Sequence, residues 1–207
     1  MTTPSPKTTA PLTTGEFGFS ASEGADWSRY LTYRPIYPPS FYSRIFDYHA
    51  GKLDPRVGWD VAHDVGAGCG IVASTLASRF QTVVVSDPNE GYTELARRLL
   101  VEEAPSPKPE KRFRFVRERA EDARSVQDGS VDLVAACESI QWTDTRAAIA
   151  EFARQLRVGG TLVVTFYSRP KIAGDEGAAR AVSKVLESFN YPFWPVPGRL
   201  RSQIFPS

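Results

Sequence analysis

The sequence predicts an α/β fold built on a doubly wound parallel sheet, and three observations carry that expectation. The stretch Val61-Ala62-His63-Asp64-Val65 is a short, largely apolar run that ends in Gly66-Ala67-Gly68-Cys69-Gly70, with glycines at alternate positions. A helical pattern follows at once, with Ile71, Val72, Leu76, Ala77 and Phe80 at three- and four-residue steps. Further apolar runs at 82–86, 113–116, 131–137 and 161–166 alternate with amphipathic stretches, as in strands joined by crossover helices.

Length and composition narrow the function. A chain of 207 residues, 42% hydrophobic and 24% charged, has enough apolar material for one α/β domain. Lys+Arg 25 against Asp+Glu 24 leaves a net charge of +1, so there is no basic field and no nucleic acid partner is expected. No apolar run approaches the roughly 20 residues of a membrane helix, and the first residues carry no apolar signal segment. Two cysteines, Cys69 and Cys137, do not make a disulfide framework. A cytoplasmic location without membrane contact is expected. The cysteines and the two histidines, His49 and His63, lack metal-ligand spacing, so no metal is expected.

The glycine loop is the candidate site. It lies between a strand and a helix N-terminus, where free N–H groups and the positive dipole end receive nucleotide-like ligands. Asp64 stands two residues before the first glycine. The second strand, Thr82 to Ser86, ends in Asp87, 23 residues after Asp64. An acid about 20 residues past such a loop meets ribose hydroxyls. A dinucleotide site wants G-x-G-x-x-G, whereas this loop is Asp64-x-Gly66-x-Gly68-x-Gly70. An acid at Asp64 would repel a diphosphate and suits an ammonium group. An adenosine with an amino acid at its far end fits better than NAD.

The rest of the chain is read in order. Residues 1–20 are Thr-, Pro-, Ser- and Gly-rich and read as a disordered tail. Residues 21–55 form an aromatic arm, with a helix after Pro38 whose Phe41, Ile45, Phe46 and Tyr48 share a side. After Asp87 a helix runs from Glu90 to about Glu103, followed by a proline-rich loop at 105–109 and the third strand. That strand leads to Glu121-Asp122. The fourth strand leads to Cys137-Glu138-Ser139-Ile140-Gln141-Trp142. A helix from Thr145 to Leu156 places Ala148, Ile149, Phe152 and Leu156 on one face, and Arg157-Val158-Gly159-Gly160 reads as its stop. A final helix is expected over about 175–189. His63 is expected to be a core histidine pointing away from Asp64, while His49 is left open.

The acid-plus-glycine loop resembles the first motif of the class I S-adenosylmethionine-dependent methyltransferases. The likeness runs from about Trp27 to Tyr167 and includes the Leu-x-x-Gly-Gly-x-Leu pattern at 156–162. Trp27-x-x-Tyr30 with Tyr33-Arg34-Pro35-x-Tyr37-Pro38 resembles the N-terminal arm of the trans-aconitate-methyltransferase-like group. The resemblance implies a Rossmann-like fold with S-adenosylmethionine as cofactor, small-molecule methyl transfer and a domain over 56–207. It further implies that Asp64, Gly66, Ala67, Gly68 and Gly70 hold the methionine end, that Asp87, Pro88 and Asn89 hold the ribose, and that Glu121 and Asp122 hold the adenine. Cys137 and Glu138 would also bind the cofactor, and Trp142 would wall the transfer site. Tyr30 belongs to an arm acting as a lid, whose aromatic faces suit a sulfonium, and Arg34 would clamp a carboxylate.

One departure stands out: the class completes its sheet with two more strands, and the proline-broken stretch after Phe189 does not read as a strand pair. A fragment of a longer chain is the favoured reading, beside a second copy or partner subunit covering the open sheet edge, or loss of methyl transfer. With no obvious general base, an acceptor that is already anionic, a carboxylate, is expected. The alternative function is a methyltransferase-like protein that serves as a regulatory subunit or non-methylating cyclase.

Overall fold

The structure is a computed structural model that describes residues 36–52, 57–104, 109–166, 172–185 and 187–188. Helix α1 spans Pro39–Ala50, with proline at its first position where the missing N–H costs nothing. Strand β1 (Val61–Val65), helix α2 (Ile71–Leu76) and strand β2 (Thr82–Ser86) form the first βαβ unit. Helix α3 (Glu90–Arg97) continues as a π-helical turn, Arg98–Glu102. Strand β3 (Phe113–Val116), strand β4 (Val131–Cys137), helix α4 (Thr145–Gln155), strand β5 (Leu156–Thr165) and helix α5 (Glu176–Val185) follow.

The five strands lie in the order β3-β2-β1-β4-β5, and every pair is parallel. The chain walks outward from β1 to β3 and then returns to β4, so the sheet's switch point opens between β1 and β4. Both faces are covered. Ala62, Val83, Val85, Leu133 and Ala135 pack with Val72, Leu76 and Leu100 on one side, and Val65, Val84, Val134 and Ala136 pack with Ala148 and Phe152 on the other. All seven residues of β4 are buried, which is why parallel strands read as unbroken apolar runs.

A buried acid closes the amino-terminal edge of this sheet. Asp132 is 0% exposed, and its carboxylate accepts the N–H groups of Gly58 (3.1 Å), Asp60 (3.0 Å) and Val61 (2.9 Å). Arg157 completes the cluster at 2.7 Å and reaches Asp60 as well. Three strands, β1, β4 and β5, are thus joined by one side chain. Helix α1 is fastened to the same edge by His49. Its Nε2 donates to the Gly58 carbonyl at 2.9 Å, leaving Nδ1 to accept from the Thr161 hydroxyl at 2.8 Å. The ring also packs edge-on against Trp59. At the other end of α1, Tyr42 packs with Cys137 at the carboxyl edge of the sheet. Helix α1 therefore runs against the strand direction, and the chain enters the domain at the edge where ligands bind.

Four details of the reading change. Tyr48 is 64% exposed and lies beside Lys52, while Tyr42 and His49 are the buried residues of α1. Ile149 is 38% exposed, because α4 presents Ala148, Phe152 and Gln155 inward instead. Helix α4 ends one residue earlier than expected, at Gln155, and Leu156 through Gly160 already belong to β5. Leu156 pairs with Val131 and Thr161 with Leu133, so 157–160 form a bulge. None of the residues of α5 is buried. Among the described residues, no helix is long and apolar enough to cross a membrane. The 1–20 tail, most of the aromatic arm and the C-terminal stretch beyond 188 lie outside the described residues.

Replacing the buried Asp132 by Ala leaves three backbone N–H groups and a half-buried guanidinium without their acceptor. The expected loss is about 3–5 kcal/mol, the range for breaking a buried charge pair. Chemical denaturation checks it. Arg157→Met, which leaves the three N–H bonds in place, should cost clearly less.

Candidate functional site

The carboxyl ends of β1, β2 and β4 meet at one edge, and the glycine loop crosses it. Gly66 sits at φ 64°, and a Cβ there would lie 2.5 Å from the Cβ of Ser139. Gly70 sits at φ 82°, with the Leu100 side chain 2.7 Å from the corresponding point. Both demand glycine by conformation and by contact. At Gly68 nothing lies within 4 Å of that point, so bare backbone faces open space. Ala67 N–H donates to the Ser86 carbonyl (2.9 Å), which ties the loop to β2.

Two buried acids flank the loop. Asp64, 2% exposed, accepts the Ala73 N–H of α2 at 2.8 Å. Burial pushes its pKa up to about 7, and the charge of Asp87 adds to the rise. Asp87, 8% exposed, accepts the N–H of Asn89 at 2.9 Å and of Gly68 at 3.1 Å. Burial raises its pKa to about 6 against those two bonds. Asn89 caps α3 by accepting from Gly91 N–H at 3.0 Å, and the Pro88 carbonyl accepts from Arg117. Two carboxyl groups held back from ionisation call for a ligand that is cationic and rich in hydroxyl donors. This donor-poor, acid-rich edge fits an amino acid joined to a ribose.

The end of β4 closes the cleft. The Ser139 hydroxyl donates to the Val65 carbonyl at 2.7 Å. Glu138 takes φ 59°, a conformation rare outside glycine, and its N–H donates to the Thr165 carbonyl at 2.8 Å. Cys137 is buried, and burial pushes its thiol up to about 12, so it packs rather than reacts. Trp142 ends a short 3₁₀ turn, Ile140–Trp142, and is half-buried at this edge. Glu121 and Asp122 follow β3 at the same edge, with their carboxylates engaged. Glu121 accepts the Asp144 N–H at 2.7 Å and faces Arg119, while Asp122 pairs with the exposed Arg124 at 2.9 Å. Tyr30 and Arg34 lie outside the described residues.

His63 is fully buried on the opposite face from Asp64. Its Nδ1 donates to Gln155 Oε1 and its Nε2 accepts from the Ser86 hydroxyl, both at 2.7 Å. Burial lowers its pKa to about 4, so it is neutral. Residues that the sequence reading passed over are Tyr42 and Ser139. Tyr42 is buried with its hydroxyl turned to Thr75, in the electrostatic neighbourhood of Asp64 and Cys137. Its phase with Ile45, Phe46 and His49 was the available signal.

Comparison with known proteins agrees with this geometry. Residues 63–164 match the family described as "Methyltransferase domain". Over those residues the chain matches a methyltransferase domain, and its sheet has the class I methyltransferase fold. The chain is 35% identical over 189 residues to a methyltransferase of Aspergillus candidus, covering 90% of this chain and 54% of that protein. It is 37% identical over 205 residues to a methyltransferase of Pestalotiopsis fici, covering 93% and 58%. The chain thus spans little more than half the length of these curated relatives. A solved structure from Anaeromyxobacter dehalogenans shares the fold, with TM-score 0.54, 24% identity and coverage of 84% of this chain and 67% of that one. For a methyltransferase domain of this fold, S-adenosylmethionine is the implied methyl donor.

Asp64 makes the stability of the methyltransferase domain depend on pH. A carboxyl whose folded pKa is raised stabilises the fold fully below the unfolded value, near 3.8, and loses that contribution as pH rises through about 7. Asp64→Asn cannot ionise. Its melting temperature should therefore overtake that of the unmodified chain as pH rises from about 4, and the gap should stop growing above about 7. His63 acts with the opposite sign between pH 6.5 and about 4 and is common to both proteins, so it cancels from the difference. Scanning calorimetry across pH 5–8 reads the gap.

Proposed function

We propose that this chain is an S-adenosylmethionine-dependent methyltransferase acting on a small molecule, with residues 21–55 as its arm and 56–207 as its cofactor-binding domain. The observation that carries the reading is the pair of buried acids, Asp64 and Asp87, on either side of the open backbone at Gly68. When bound, the cofactor supplies an electrophilic methyl group on a sulfonium. The chain's part is to hold and orient. Asp64 meets the ammonium, Asp87 accepts from the ribose hydroxyls, and the Gly66–Gly70 backbone lies along the methionine. The close packing of Ser139 on Gly66 excludes water from behind the site.

The acceptor we favour is a carboxylate. Both histidines are committed to structural hydrogen bonds, His49 to Thr161 and Gly58 and His63 to Gln155 and Ser86, so neither serves as a base. An acceptor that is already ionised needs none. The arm motif from Trp27 to Tyr37 supports placing the chain beside trans-aconitate-type enzymes, with Arg34 as the anion clamp. Exposed Val158, Leu162 and Val164 on the edge strand β5, with Phe166 just beyond its end, support a second copy or partner covering that edge.

Calorimetric titration should show S-adenosylmethionine and S-adenosylhomocysteine binding and no binding of NAD. Asp87→Ala should weaken both by about 1–3 kcal/mol, the cost of unpaired buried donors. Affinity for S-adenosylmethionine should rise with pH and level off above about 7, because the raised carboxyls must lose protons before they hold a cation. A flat profile between pH 5.5 and 8 would count against Asp64 in that role.

A further inference from the structure

A polar line crosses the apolar core on the face of the sheet away from Asp64. Ser86 is 1% exposed, and His63 and Gln155 are 0% exposed. His63 pairs with Val84 in the ladder and Ser86 comes two residues later, so the two side chains share the face of Val65, Val84 and Val134. The direction of the line is fixed from its far end. The Glu151 carboxylate, paired with Arg154, can only accept. Gln155 therefore turns its Nε2 to Glu151 at 3.2 Å and its Oε1 to His63. The imidazole must then carry its proton on Nδ1, and burial keeps the ring neutral by lowering its pKa to about 4. Nε2 is left as a bare acceptor, and the Ser86 hydroxyl donates to it at 2.7 Å.

Ser86 is where this line meets the site. It is the last residue of β2, and its pairs with Val65 and Val116 are the last of both ladders. The next N–H, that of Asp87, reaches the Val116 carbonyl at 3.3 Å, past the usual range. Yet the glycine loop hangs on this strand end. The Ser86 carbonyl accepts the Ala67 N–H at 2.9 Å, and the Asp87 carboxylate accepts the Gly68 N–H at 3.1 Å. The hydroxyl bond to His63 anchors the same end from within the core. Apolar side chains of similar volume commonly replace buried polar groups without loss of stability. What a fully satisfied polar line adds is direction, because it admits one placement of Ser86.

We infer that His63 is a positioning residue for the cofactor: through Ser86 it fixes the aim of Asp87, and so sets how well the site grips a ribose. The inference rests on the cofactor reading above and adds to it a residue that touches no ligand. The core histidine acts on the site from the opposite face of the sheet.

The test uses the full 207-residue chain, with S-adenosylhomocysteine and its 2′-deoxyribose analogue as probes in calorimetry. The unmodified chain should prefer the ribose form. Ser86→Ala removes the hydroxyl and keeps the carbonyl that holds Ala67. It should bind S-adenosylhomocysteine about 3- to 10-fold more weakly, the scale of one hydrogen bond, and lose its preference for the ribose form by a similar factor. His63→Leu should do the same. The two losses should not add, so the double variant should stay within about twofold of the weaker single one. Arg157→Met, at the other edge of the sheet, is the control for stability alone: its melting temperature should fall while both affinities hold within about twofold. A Ser86→Ala protein that melts earlier but binds S-adenosylhomocysteine as before overturns the inference, since the line is then only structural. Equal weakening toward both probes overturns it as well, because the loss is then not at the ribose. Additive losses overturn the route through Ser86. Should His63→Leu fail to fold, Ser86→Ala still decides. If the unmodified chain does not bind S-adenosylhomocysteine, or shows no preference for the ribose form, the cofactor reading itself falls, and that failure is visible before any variant is made.

Discussion

The carboxyl edge of this domain depends on how closely the end of β4 approaches the end of β1. The Ser139 hydroxyl reaches the Val65 carbonyl, and the two chains come so near that residue 66 has no room for a Cβ. This contact decides the rest of the site. It sends the glycine loop outward over β2, where Gly68 N–H meets Asp87, and it forces Glu138 into a left-handed conformation before the chain turns back. A larger residue at either position would push the strands apart and separate Asp64 from the loop that shapes its pocket.

Electrostatics at the edge run against the comfort of the free domain. Asp64 and Asp87 are buried with their own backbone donors and without a counter-charge, so each resists ionisation. On the opposite face the hydrogen bonds form a directed chain: Ser86 donates to His63, His63 to Gln155 and Gln155 to Glu151. That chain holds the last residue of β2 in place, one position before Asp87. The sheet is rigid beneath the site and strained within it, which is the arrangement expected where a ligand supplies the missing charge.

Much of this was legible in the residues. The strands at 61–65, 82–86, 113–116 and 131–137 read with the boundaries the structure shows, because a strand buried on both faces leaves an uninterrupted apolar run. Asp64 and Asp87 were legible because loop chemistry and spacing are local. The start of β5 was not, since Arg157-Val158-Gly159-Gly160 reads as a helix stop and a bulge leaves no apolar signature. Asp132 and Tyr42 were missed for a common reason. Their roles come from partners distant along the chain, and no short-range pattern records them.

The π-helical turn at Arg98–Glu102 carries one residue more than a regular helix would use over the same rise. It delivers Leu100 beneath Gly70, against the underside of the loop. Losing a single residue here would let the helix become regular and rotate all that follows by about 100°, swinging Leu100 away and leaving a hollow under the loop. The chain should therefore tolerate substitutions in this turn far better than a one-residue deletion, even though the turn touches neither the acids nor any ligand.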